Sequence, residues 1–121
     1  MPYGRFLAGL AAGSLIAGAA LAQAAWVEID DNVHVAAFGA TADQVEDWDV
    51  HDASGVEIGE VEEVVGTAPD TPTALVVDFE GKNGYADRDV VIPLDQFTRA
   101  NNRLTLDASP DAVAGMETWN D

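Results

Sequence analysis

The fold of this chain is indicated most clearly by one segment, Asp49-Val50-His51-Asp52-Ala53-Ser54-Gly55-Val56-Glu57-Ile58-Gly59-Glu60-Val61-Glu62. Its centre, residues 52–55, has turn chemistry, because an Asp side chain accepts hydrogen bonds from the backbone that follows it and Gly tolerates a positive φ. The apolar residues after the turn fit a helical stripe as well as a strand. Their Val content and the nearby glycines favour a strand that is bent or bulged at Gly59. The segment therefore predicts two strands, 48–51 and 56–65, joined by a tight turn.

The sequence after this hairpin also predicts β-structure. Residues 73–80 are the clearest strand, and the run Ala74-Leu75-Val76-Val77 is apolar on both faces, which favours a central position in a sheet. Further strands are predicted where β-branched and apolar residues lie between turn residues. They cover residues 33–38, 88–93, 97–100 and 103–107, with turns at 69–72, 81–84 and 101–102.

Two short helices are predicted from their capping residues. Thr41 and Gln44 have the spacing of a capping box, which indicates a single helical turn. Near the C-terminus, Ser109 is a good N-cap residue and Pro110 suits the first helical position. Asp111 then interacts favourably with the positive end of the helix dipole, so a short C-terminal helix is expected.

In their order, these segments resemble the PRC-barrel family. The resemblance covers about Thr41 to Trp119, and no single piece carries it alone. The matching segments are 49–62, 74–77, Gly84–Pro93 with its Asp89-Val90-Val91-Ile92-Pro93-Leu94, and Leu104-Thr105-Leu106-Asp107 with the terminal helix. The family includes the cytoplasmic part of the photosynthetic reaction-centre H subunit and the C-terminal domain of a ribosome-maturation factor.

This resemblance implies a mainly β fold: a small antiparallel barrel of about five to seven short strands with a short C-terminal helix. It also implies a binding or assembly module without catalysis. We expect residues 41–121 to form this domain and residues 25–40 to be an extension, a candidate for an added strand. The chain differs from those two relatives because it lacks their partner segments and carries an export signal.

The export signal is predicted at residues 1–24. Met1–Arg5 carry one positive charge, Phe6–Leu21 are apolar or small, and Ala22-Gln23-Ala24 has the form of a cleavage site. A membrane-spanning helix needs roughly 20 apolar residues, and this run is shorter and interrupted by glycines. We therefore expect cleavage after Ala24, no stable membrane anchor afterwards, and a periplasmic location in a Gram-negative bacterium. The chain has no Cys, which excludes both a lipoprotein anchor and disulfides.

The charge is strongly one-sided, with 22 acidic and five basic residues. Cleavage also removes Arg5, so four basic residues remain against 22 acidic ones, a net charge of −18. Such a surface repels nucleic acid and anionic lipid headgroups. The remaining interpretations are a basic protein partner, cation binding or solubility. The alternative to a binding module is thus an acidic, calcium-like cation-binding or stress-related envelope protein.

No catalytic residue, cofactor or defined metal site is predicted. His34 and His51 are the only imidazoles, and their spacing matches no metal motif. Asp47-Trp48-Asp49 and Asp87-Arg88-Asp89 resemble fragments of calcium-binding turns without the full loop, so they support weak divalent cation binding at most. The alternating Glu60 and Glu62 are interpreted as the solvated face of a strand.

The candidate partner-binding residues are Lys82, Tyr85 and Arg88. They lie in or beside the glycine-bounded loop 81–87, which we expect to stand clear of the barrel. Tyr is common at interfaces, and the two cations are half of those left after cleavage. The alternative is that both cations only offset Asp87 and Asp89. The three Trp residues are interpreted as packing residues, with an exposed anchor as the alternative.

We predict that the exported protein begins at Ala25. The apolar segment is short and is followed by the cleavage site, so a signal peptidase removes residues 1–24. The intact mass of the periplasmic product measures this directly. A full-length, membrane-bound species would contradict the prediction.

Overall fold

The computed structural model describes residues 26–120, so the predicted signal peptide lies outside the described residues. The described part contains nine strands and two α-helices, in addition to a 3-10 helix at Leu94–Gln96. The strands are β1 (Val27–Glu28), β2 (His34–Val35), β3 (Ala40–Thr41), β4 (Asp49–His51), β5 (Glu57–Ala68), β6 (Thr71–Phe79), β7 (Asp89–Pro93), β8 (Phe97–Ala100) and β9 (Arg103–Leu106). The helices are α1 (Ala42–Val45) and α2 (Pro110–Ala114).

Seven of the strands form one sheet that curls into a half-barrel. Its order is β7-β6-β5-β4-β9-β8, and β1 pairs with the far end of the long strand β5. All neighbours are antiparallel except β4 and β9, which are parallel. Strands β2 and β3 form a separate small hairpin. The mainly β fold with a short C-terminal helix, as the sequence predicted, is confirmed.

The core lies on the inner, concave face of this sheet. Alternate residues of the strands point inward, and the largest fully buried side chains are Phe79, Ile58, Leu75, Ile92, Leu104 and Leu106. A second, smaller cluster lies on the outer face, where Trp26 and Trp119 pack against Val65, Ala74, Val76 and Val91. This outer cover explains why residues 74–77 are apolar on both faces, and it confirms their central position in the sheet.

The long strand β5 is irregular where its neighbours come close. A Cβ on Gly59 would lie 2.4 Å from the carbonyl oxygen of Asp78, and one on Gly66 would lie 1.8 Å from that of Thr71. The pairing with β4 also skips one residue of β5 beside Gly59. The predicted irregularity at Gly59 is thus confirmed, and the close β6 backbone leaves no room for a side chain at this residue.

The predicted local turns and caps are confirmed. The Asp52 side chain accepts hydrogen bonds from the backbone N–H groups of Ser54 and Val56, at 3.0 and 3.1 Å. Thr41 forms the predicted capping box of α1, and Ser109 caps α2.

The N-terminal extension contains β1, which pairs with β5, so it does add a strand to the sheet. The strand expected over 33–38 was wrong for most of its length. Only His34–Val35 is extended, because the N–H groups of Phe38 and Gly39 both turn back to the Val35 carbonyl. No helix among residues 26–120 is both long and apolar enough to cross a bilayer.

We predict that Gly66→Ala strongly destabilises the fold, whereas Gly115→Ala does not. The added methyl group at residue 66 would overlap the Thr71 carbonyl, and overpacking of this kind costs about 1–3 kcal/mol or more. At residue 115 the nearest atom is 3.7 Å away, an ordinary contact. Urea unfolding of both variants measures the difference. Equal stabilities would contradict the close approach of β5 and β6.

Candidate functional site

Tyr85, the aromatic member of the predicted binding loop, is a core residue. It is 5% exposed, its ring stacks on Phe79 at 5.2 Å between centroids, and its hydroxyl donates a hydrogen bond to the Ala108 carbonyl at 2.7 Å. Burial raises the pKa of the phenol, and the negative charge of Asp52 raises it further. The expectation that Tyr85 is exposed was therefore wrong, because the loop folds back onto the segment before α2.

The two cations of this loop do not form a shared surface with Tyr85. The Arg88 guanidinium donates to the Val113 carbonyl at 2.9 Å, to the Ala114 carbonyl at 3.2 Å and to the Thr118 hydroxyl. It thereby satisfies carbonyls at the C-terminal end of α2, a structural role. Lys82 is exposed, and its Nζ lies 3.5 Å from Oε1 of Glu80. Of the three predicted residues, Lys82 is exposed, Arg88 is partly buried and Tyr85 is buried.

The same loop is held to the β4–β5 turn by a polar contact. Nδ2 of Asn83 donates to Oδ2 of Asp52 at 2.7 Å. This hydrogen bond, followed by that from Ser54, lowers the pKa of Asp52 to about 2. Asp52 therefore stays ionised throughout the physiological pH range. Its contact with Asn83 was not predicted, because the two residues are 31 positions apart.

The outer face of the sheet carries four acidic residues in one transverse line, which we call the carboxylate row: Asp49, Glu60, Asp78 and Asp89. They come from four neighbouring strands, and each lies directly opposite the next. Asp49 pairs with Glu60, Glu60 with Asp78, and Asp78 with Asp89. Directly paired residues share one face of a sheet, so the four side chains project together.

Mutual repulsion is expected within the carboxylate row, since neighbouring strands are only about 4.8 Å apart. The pKa of Asp78 is raised above its ordinary value by its partial burial and then by the nearby Asp89. The charges of Glu60 and Asp87 raise it further. One carboxylate oxygen each of Glu62, Asp78 and Asp89 lies within 4.8 Å of the others. The row is thus a concentrated negative surface.

Three residues of the carboxylate row were noted in the sequence, but the sequence did not indicate that they lie side by side. Asp49 and Asp89 were singled out in two separate turn-like fragments, and the structure places them at opposite ends of the same row. Glu60 was interpreted as part of a solvated strand face, and it is exposed. Among residues 26–120, two groups of three carboxylates lie close enough to share an ion, Asp31/Asp43/Glu46 and Glu62/Asp78/Asp89, and neither includes His34 or His51.

A pocket of about 370 Å³ lies between α1, the segment that leads into β4, and the β8–β9 hairpin, and no residue of the row lines it. Its most distinctive group is the Arg99 guanidinium, whose central carbon lies 4.5 Å from the centre of a Trp48 ring. Arg99 also donates to the Phe38 and Asn101 carbonyls, each at 2.6 Å. Neither Arg99 nor this pocket was singled out from the sequence.

A family model described as PRC-barrel domain matches residues 40–113, more than half of the chain. The chain belongs to the PRC-barrel family. The matched range holds the carboxylate row and every residue that lines the Arg99 pocket except Gly39. Trp26 and Trp119, which cover the outer apolar cluster, lie outside it. No relative was found among curated proteins. Family membership supports a small binding or assembly module as the general type of this domain.

We predict that Tyr85→Ala destabilises the domain by about 3–5 kcal/mol, the usual cost of removing a buried aromatic side chain. Lys82→Ala, three residues away and exposed, is the matched control and changes stability by no more than about 0.5 kcal/mol. Chemical denaturation followed by circular dichroism measures both. A Tyr85→Ala variant as stable as the Lys82→Ala variant would contradict the core position of Tyr85.

Proposed function

We propose that this protein is an exported, non-catalytic binding or assembly module of the periplasm, and that its carboxylate row contacts a basic segment of a protein partner. The observation that carries this proposal is the direct pairing of four carboxylates across four strands. Pairing of like charges costs stability, and the outer face of a strand accepts many uncharged residues equally well. A repulsive arrangement on such a face is therefore best explained by a positively charged partner.

The cations of the domain itself supply little compensation for this charge. In the described residues, Lys82 forms an ion pair with Glu80, while Arg88 and Arg99 donate mainly to backbone carbonyls. Arg103 lies opposite Asp49 at one end of the row. Among the described residues, Glu60, Asp78 and Asp89 form no ion pair. A basic segment laid across the strands would place its side chains over these carboxylates.

The absence of catalysis and the periplasmic location are parts of this proposal. The export signal predicted at residues 1–24 supports the location, and the family supports a binding role. The alternative function, divalent cation binding, is favoured by one observation, the close carboxylate oxygens of Glu62, Asp78 and Asp89. Hard cations such as calcium prefer oxygen ligands of this kind.

We predict that the double variant Glu60→Gln/Asp78→Asn weakens capture of the partner in a crosslinking pull-down from periplasm. Two charge pairs are removed with little change in shape, so capture weakens by about 3- to 30-fold. The control is Asp95→Asn/Asp107→Asn, which makes the same charge change at exposed residues outside the row. It retains capture, and salt weakens wild-type binding.

Equal capture by the two double variants would contradict docking at the carboxylate row. Calorimetric titration with calcium tests the alternative function, divalent cation binding. Saturable binding that is lost in Asp89→Asn, with no captured protein, would establish the cation-binding role instead.

A further inference from the structure

The pocket beside Trp48 contains a cation that is held in place without an acidic partner. Arg99 packs over the Trp48 ring, and its Nη1 and Nε donate to the Phe38 and Asn101 carbonyls. Gly39, whose φ of 68° suits glycine, forms the turn that follows the Phe38 carbonyl. A guanidinium fixed at three points loses little further freedom when it binds a ligand.

This guanidinium still has unused hydrogen-bond donors. It carries five N–H groups, of which two donate to the carbonyls named above, and the others meet no acceptor among residues 26–120. Although the chain has 22 acidic residues, the described part shows no ion pair at Arg99. The remaining donors are therefore available to a carboxylate from outside, which guanidinium groups bind in a two-point geometry.

The other walls of the pocket supply further donors and one opposite charge. Gln44 lines it, and the Gln44 Oε1 atom accepts the Thr41 backbone N–H at 2.9 Å, which fixes the amide and leaves its NH₂ group as a donor. Asn102 lines the pocket as well. Asp47 also lines it and forms no ion pair with Arg99. The pocket is thus lined by one guanidinium group, two side-chain amides and one carboxylate, and the guanidinium and the carboxylate form no ion pair with each other.

We propose that this pocket binds a free α-amino acid in its zwitterionic form. The ligand carboxylate pairs with Arg99 and the Gln44 amide, and the ligand ammonium group pairs with Asp47. A zwitterion carries no net charge, so the strongly negative protein does not repel it as it repels a simple anion. The pocket has a volume of about 370 Å³, and five of the seven residues that line it are exposed, so it would hold a small polar molecule at the surface rather than enclose it.

This inference is independent of the carboxylate row and of any protein partner. Asp47, Gln44 and Arg99 belong neither to the row nor to its cross-strand pairs. A failed test of the pocket therefore leaves the proposed docking function untouched, and the reverse also holds.

Calorimetric titration of the purified mature protein with the twenty standard amino acids tests the proposal. We expect saturable binding of at least one of them. The same amino acid as its N-acetyl derivative lacks the ammonium group, and as its amide it lacks the carboxylate. Each derivative binds at least about ten-fold more weakly, because one charged group in the site loses its partner.

Two variants identify the residues, with Arg103→Gln as the control for loss of a neighbouring arginine outside this pocket. Arg99→Gln abolishes binding. Asp47→Asn leaves the contacts of Arg99 in place, so it keeps the fold, and it weakens binding of the free amino acid while removing the preference over the N-acetyl derivative. Arg103→Gln binds like the wild type. NMR of the Arg99 Nε–H signal shows a ligand-induced shift.

Failure of all twenty amino acids to bind would overturn the proposal. Binding that survives Asp47→Asn with unchanged preference for the free ammonium group would overturn it too. Equal loss in Arg99→Gln and Arg103→Gln would show that overall charge, rather than the pocket, controls binding.

Discussion

The core and the outer surface of this domain both follow from the close approach of the β5 and β6 backbones. At Gly59 and Gly66 the β6 carbonyls occupy the space of a side chain, so only glycine fits without a shift. Strand β5 also pairs with β1 and β4 along its other edge. The position of these two glycines therefore helps to set which residues of four strands face each other. Because side chains alternate, the same register determines both the core and the outer surface.

On the outer surface, this register brings acidic residues of neighbouring strands together. It aligns Asp49, Glu60, Asp78 and Asp89 on the outer face, where like charges lie directly opposite one another. Because the folded pKa of Asp78 lies above its unfolded value, the folded state holds that proton more tightly. Stability from this group is therefore present at low pH and is lost as pH rises through the unfolded value near 3.8 and the higher folded value. A basic partner would offset this repulsion at neutral pH.

Local features of the fold were predictable from the sequence, and long-range ones were not. The Asp52 turn and the caps at Thr41 and Ser109 depend on neighbouring residues, so their chemistry is visible in short segments. Tyr85 was assigned to the surface because its loop contains glycines, but its burial depends on Phe79 and on the segment before α2. The composition of a loop does not indicate whether a given side chain points into the core or toward solvent.

The carboxylate row and the Arg99 pocket were missed for the same physical reason. The row depends on cross-strand register, which arises from bulges and backbone contacts rather than from any one strand. The pocket joins Trp48 to Arg99 across the fold, and an isolated arginine in a strand carries no sign of a stacking partner. The family resemblance, by contrast, was recognisable because it rests on the order of segments, and the family match confirms it.

A carbon-13 NMR titration of the Asp78 carboxyl group measures whether the register holds the four carboxylates together. We expect an Asp78 pKa above its ordinary value. In Asp89→Asn that pKa falls toward the ordinary value but does not reach it, because partial burial remains. An ordinary Asp78 pKa in the wild-type protein, or one that Asp89→Asn leaves unchanged, would contradict the alignment of these carboxylates.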